Sequence, residues 1–89
     1  MKSVQLTVHG IVQGVFFRKY TVEKAFELGV VGTVRNNEDS TVGIEATGDE
    51  KNLAAFIAWC HRGPARAKVN HVDIHELPKK NFPDFRVVR

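Results

Sequence analysis

Apolar and polar residues alternate from the first strand-like stretch: Val4, Leu6 and Val8 against Gln5, Thr7 and His9. A period of two puts successive side chains on opposite faces, so a half-buried strand is expected there. Gly10 interrupts it, Ile11 and Val12 extend it, and Gln13-Gly14 ends it. Phe17 to Leu28 contains no Gly or Pro, and Val22, Ala25, Phe26 and Leu28 approximate one helical face. Gly29 is the expected stop. Val30 to Arg35 and Thr41 to Thr47 read as two strands of a hairpin, joined by the turn-rich cluster Asn36 to Ser40. Asp49 is the expected N-cap of a second helix, in which Leu53, Phe56, Ile57 and Cys60 fall at i, i+3, i+4 and i+7. Gly63-Pro64 ends it. Lys68 to Leu77 is expected as a fourth strand, with Val72 and Ile74 inward and His71, Asp73 and His75 outward. Phe85 to Val88 is a candidate edge strand.

The order β-α-β-β-α-β predicts an α+β fold in which two helices cover one face of a four- or five-stranded antiparallel sheet, the ferredoxin-like arrangement. Residues 1–89 are expected to form a single domain, with Pro78 to Pro83 as a loop rather than a linker.

Composition narrows the function classes. Hydrophobic residues at 43% and charged ones at 26% argue against disorder. The lone Cys60 excludes an internal disulfide framework and a four-cysteine zinc site. A net charge of +3, without a basic stripe, suits a small anion better than nucleic acid. No secretory signal is visible, and no apolar run approaches the roughly 20 residues that span a bilayer. A cytoplasmic monomer is the expectation.

The chemistry concentrates in Gly10-Ile11-Val12-Gln13-Gly14-Val15-Phe16-Phe17-Arg18. A strand ends in glycine and a helix starts a few residues later, so successive backbone N–H groups can converge on an anion. Gly14 permits the backbone angles such a cradle needs. Arg18, at the helix start, can fold a planar fork over two phosphate oxygens.

The run Val12 to Arg18 resembles the signature of the acylphosphatase family. The resemblance continues through Ala25, Leu28-Gly29, Gly32, Val34-Arg35-Asn36, Asp39, Gly48, Phe56 and Trp59. It extends through Gly63-Pro64, Ala67, Val69, Val72 and Phe85 to Arg89. It implies the ferredoxin-like fold already inferred. It also implies hydrolysis of carboxyl-phosphate mixed anhydrides to carboxylate and inorganic phosphate, without metal, cofactor or phosphoenzyme. The family's catalytic arginine matches Arg18 and its catalytic asparagine Asn36. Its phosphate cradle matches Gln13, Gly14, Val15, Phe16 and Phe17, together with Arg18. Asn36 would orient the attacking water, and Val34-Arg35 fixes the register that selects it over Asn37. Two positions depart from the family pattern. Thr33 stands where Trp is frequent, which would remove an aromatic wall near the site, and Ser40 stands where a hairpin Gly is usual.

Other constellations are weaker. Cys60 to Arg66 fits the C-x5-R phosphate loop of cysteine-dependent phosphatases, but Cys60 lies on the apolar stripe of a helix and Pro64 interrupts the loop. His71 and His75 have a helical metal-pair spacing, yet on a strand they stand about 13 Å apart. His9 is expected outward, with no second ligand near it. An RNA-binding module of the same architecture would need exposed aromatics on its central strands, which are absent. A non-catalytic domain binding acyl or carbamoyl phosphate is the more serious alternative.

Overall fold

The computed structural model describes residues 1–89. Its elements are β1 (Lys2–Ile11), α1 (Phe17–Leu28), β2 (Val31–Asn36), β3 (Val42–Gly48), α2 (Glu50–Arg62), β4 (Lys68–Leu77) and β5 (Phe85–Val87). The sheet order is β4-β1-β3-β2-β5. This is the expected ferredoxin-like α+β fold, with one correction to the sheet. β1, β2, β3 and β4 pair antiparallel, but β5 joins the edge of β2 in parallel, so the sheet is mixed. A parallel partner requires a long crossover, and the chain from β2 to β5 supplies it through β3, α2 and β4.

One parity of each central strand faces the helices. Leu6, Val34 and Ile44 are cross-strand neighbours and all are buried. Phe17 and Ala25 of α1, and Leu53, Phe56 and Cys60 of α2, pack into the same cluster. The stripe read for α2 therefore faces the core, with Ile57 half-buried beside it.

The expected face of α1 holds at Ala25, which is buried, and at Val22 and Leu28, which pack half-buried against the core, but not at Phe26. The buried residues of α1 are Phe17, Thr21 and Ala25, at i, i+4 and i+8. Phe26 sits one residue, or about 100°, further round the helix and is 88% exposed. Thr21 is tolerated in the core because its hydroxyl donates to the Phe17 carbonyl at 2.7 Å. Ile74 also departs from expectation. It shares the parity of buried Val72, but it lies on the edge strand and is 45% exposed.

At one end of the other face, Ser3, Thr47 and Lys80 close a hydrogen-bonded ring. The Ser3 hydroxyl donates to Thr47 Oγ1 at 2.6 Å and accepts from the Lys80 N–H at 2.9 Å; Thr47 donates to the Lys80 carbonyl at 2.8 Å. The loop after β4 is thereby tied across β1 and β3.

Candidate active site

The site begins with a fault in a strand. The register of β1 against β4 shifts between His9 and Gly10. A Cβ on Gly10 would lie 2.0 Å from the Lys68 carbonyl oxygen, so only glycine lets the two backbones approach this closely. Past the bulge, Val12 is buried and anchors the chain as it leaves the sheet.

The loop then turns twice through the left-handed region, at Gly14 (φ 75°) and Phe16 (φ 63°). Glycine takes that conformation freely, whereas an L-residue such as Phe16 pays about 1–2 kcal/mol. Phe16 is the N-cap of α1, yet no side chain caps the helix and its first turn holds no acidic residue. The first N–H groups of α1 are therefore left for a ligand, at the positive end of the helix dipole.

A cavity of about 430 Å³ opens at this point, lined by Val12, Gly14, Phe16, Phe17, Arg18, Lys19, Asn36, Val87 and Arg89. Three of these side chains are cationic and none is a carboxylate. Arg18 takes part in none of the chain's ion pairs, so its guanidinium is not already neutralised.

Asn36 closes the opposite wall. It is the last residue of β2 and shares the parity of buried Val34, which turns it to the helix side of the sheet. Its Oδ1 is buried and accepts no hydrogen bond from the chain. An orphaned buried acceptor costs about 1–3 kcal/mol. Asn37, of opposite parity, is committed elsewhere: its Nδ2 donates to Thr41 Oγ1 at 3.0 Å.

The remaining loop residues divide. Phe16 and Phe17 line the cavity with Gly14, but Gln13 and Val15 do not. The Gln13 amide donates to the carbonyls of Asn37 and Thr41, both at 2.9 Å, and so ties the loop to the β2–β3 hairpin beside Asn36. Val15 faces a second cavity, described below. Sequence reasoning gave no sign of the Gln13 tie, because it depends on how the loop and hairpin meet in space.

Within that hairpin, Asp39 Oδ1 accepts from the Thr41 hydroxyl at 2.6 Å and the Thr41 N–H at 3.1 Å. These bonds, the side-chain one foremost, hold the Asp39 carboxyl below its usual range. Ser40 takes a left-handed backbone, φ 75°, so the turn does require the conformation that serine disfavours. Thr33 lies elsewhere than expected. It lines a cavity with Gln5, Arg35 and Phe82, not the one holding Arg18 and Asn36. Its parity turns it to the sheet face opposite the helices, so it forms no wall of this site.

The competing constellations fall apart in three dimensions. Cys60 is wholly buried, and burial pushes its thiol well above the ordinary range, opposite to what a thiolate nucleophile needs. His9 does have a neighbour, contrary to expectation. His9 and His71 are directly cross-strand, and their Nε2 atoms meet one carboxylate, at 2.8 Å to Asp73 Oδ2 and 2.7 Å to Asp73 Oδ1. No group of three His, Cys, Asp or Glu side chains has a metal-binding arrangement. No helix is long and apolar enough to cross a membrane.

Comparison with known proteins shows similarity along nearly the whole chain. The family model described as Acylphosphatase matches residues 4–87. The chain is 50% identical over 82 residues to an acylphosphatase of Marinobacter nauticus, covering 91% of this chain and 89% of that one. It is 43% identical over 90 residues to one of Methylococcus capsulatus, covering 100% and 98%. Among solved structures it is similar to an acylphosphatase from Coxiella burnetii, with a TM-score of 0.94 and 36% identity over 98% of this chain and 92% of that one.

Proposed function

The chain belongs to the acylphosphatase family, and we infer that it hydrolyses acyl phosphates in the cavity shared by Gly14, Phe16, Phe17, Arg18 and Asn36, with Arg18 and Asn36 as catalytic residues. The observation that supports the assignment of roles is that Asn36, whose Oδ1 has no partner in the chain, lines the same cavity as Arg18, which is in no ion pair.

An acyl phosphate carries its own good leaving group, a carboxylate, so acid–base assistance is a minor need. The larger tasks are holding a dianion and aligning water with the breaking bond. The backbone N–H groups of the loop and the first turn of α1, from about Val15 to Arg18, hold the phosphoryl oxygens. Arg18 offsets their charge, and offsets it most in the transition state. Asn36 Oδ1 accepts one O–H of a water, turning its lone pair towards phosphorus. Because the amide is neutral it does so without repelling the phosphate.

The water oxygen bonds to phosphorus while the bridging P–O bond breaks. The electron pair leaves with the carboxylate, and the water proton passes to a phosphoryl oxygen. Carboxylate and inorganic phosphate result. The reaction so drawn calls on no metal or cofactor. Residues 1–89 act as one domain, in our reading a cytoplasmic monomer whose only partners are small anions. Nucleic acid finds no basic stripe here.

The test is turnover of acetyl and benzoyl phosphate by the purified protein in the presence of a chelator, beside Arg18→Ala. Metal-independent turnover that disappears in the variant supports both reaction and site. Phosphate binding by a folded protein with no turnover would instead mark a binding module.

A further inference from the structure

A second cavity, of about 530 Å³, adjoins the first across Phe16, which lines both. Its walls are Val15 and Phe16 of the loop, Tyr20 of α1, Trp59 of α2 and Pro64, with Arg66 the one charged residue. Resting on the hydrolase reading above, we propose that this cavity receives the acyl group, and that it makes the enzyme selective for aromatic acyl phosphates over small aliphatic ones.

The topology supplies the argument. An in-line displacement places the attacking water and the departing carboxylate on opposite sides of phosphorus. Asn36, with Val87 and Arg89, lies on the β2–β5 side of the loop. The second cavity lies on the other side, where α2 runs into β4 at the opposite edge of the sheet. A leaving group opposite the Asn36 water is therefore directed into it.

The lining suits a ring. Phe16 and Tyr20, 61% and 41% exposed, both line this cavity, which joins them with Val15, Trp59 and Pro64 into one apolar surface. Trp59 is fixed from behind by Phe17, with ring centroids 5.6 Å apart, and so presents a rigid wall. The held conformation of Phe16 acquires a purpose here. Its left-handed backbone sets one aromatic side chain between phosphate and acyl sites. Aromatic rings gain from stacking beyond their buried area, and a methyl group reaches little of this surface.

The experiment compares kcat/KM for benzoyl and acetyl phosphate in wild type, Tyr20→Ala and Tyr20→Phe. Alanine favours helix, and Tyr20 lies outside the buried core, so the variant folds. Tyr20→Ala is expected to lower kcat/KM for benzoyl phosphate about five- to tenfold, with acetyl phosphate changed less than about twofold. Tyr20→Phe, which keeps the ring, is expected to retain the wild-type ratio. Equal changes for both substrates, or none, would overturn the acyl site while leaving the hydrolase reading intact. Failure of folded wild type to hydrolyse either substrate would defeat the hydrolase reading itself, and the acyl site with it.

Discussion

The side-chain amide of Gln13 donates to the carbonyl of Asn37 at 2.9 Å, and through that bond the loop between β1 and α1 is fastened beside the strand that ends in Asn36. The two halves of the catalytic cavity come from β1 and β2, which are separated in the sheet by β3. They hold a common geometry only if something spans the gap. Gln13→Ala removes the span and leaves the Asn37 and Thr41 carbonyls with only the hairpin's own donors, the Ser40 and Asn37 N–H groups. It is expected to cost about 1–2 kcal/mol of stability and to lower kcat more than it raises KM. Urea unfolding beside steady-state kinetics checks both; kinetics identical to wild type would sink the positioning role.

In the proposed mechanism Arg18 acts on bound phosphate and on the transition state alike. Arg18→Ala is expected to reduce kcat/KM by about three orders of magnitude and to weaken inhibition by inorganic phosphate in parallel. Product-inhibition assays provide the second readout. Loss of turnover with phosphate affinity intact would confine the guanidinium to the transition state.

The role proposed for Asn36 differs, since its oxygen would serve the water. Asn36→Ala is expected to lower kcat about a hundredfold while phosphate still inhibits. Removing an acceptor that the chain leaves unpaired also predicts no loss of thermal stability, and a slight gain. A variant both inactive and clearly less stable would make Asn36 a structural residue.

Ser40 carries a left-handed backbone that glycine would adopt without strain. Ser40→Gly is expected to stabilise the fold by about 0.5–1 kcal/mol, after the extra chain entropy of glycine is subtracted. A thermal melt decides the matter, and an unchanged or lower midpoint would show that the turn is not strained.

The Asp73 carboxyl is held below its usual value of 3.8 by hydrogen bonds from His9 and then His71. A depressed folded-state pKa favours the native carboxylate. Its contribution is full above the unfolded value and is lost as pH falls through the lower folded one. Wild type should exceed Asp73→Asn in stability near neutral pH, and the two should converge as pH falls through the ordinary carboxylate range and below it. Chemical denaturation along that pH series would show parallel curves if the cluster contributed nothing.

Much of this was legible from residue order. Alternation marked β1, the i, i+3, i+4, i+7 stripe marked α2, and Gly29 ended α1 where expected. The turn from Gly14 into an uncapped helix at Phe17 was readable because its geometry is local. What escaped was whatever depends on neighbours distant in sequence. The parallel pairing of β5, the exposure of Ile74 on an edge and the meeting of His9, His71 and Asp73 are set by strand order, which no local pattern encodes. Phe26 misled for a different reason. Apolar character alone placed it inward, while Thr21 gained the core by satisfying its own hydroxyl within the helix. The placing of Thr33 away from Arg18 follows from parity along β2, readable only once Val34 and Asn36 are known to face the helices.

The central position of β1 also constrains when the enzyme can come into being. β1 is flanked by β3 and β4, both made long after it, and its register runs from Ser3–Leu77 to Ile11–Lys68 on one side alone. Such non-local pairing slows folding, since chain entropy is spent before contacts repay it. On a ribosome, Val4, Leu6 and Val8 must wait without partners until β4 has emerged. The loop proposed to bind phosphate hangs from this same strand, so on that reading catalytic competence arrives only with the last collapse of the sheet, and a nascent chain is exposed to aggregation for most of its synthesis.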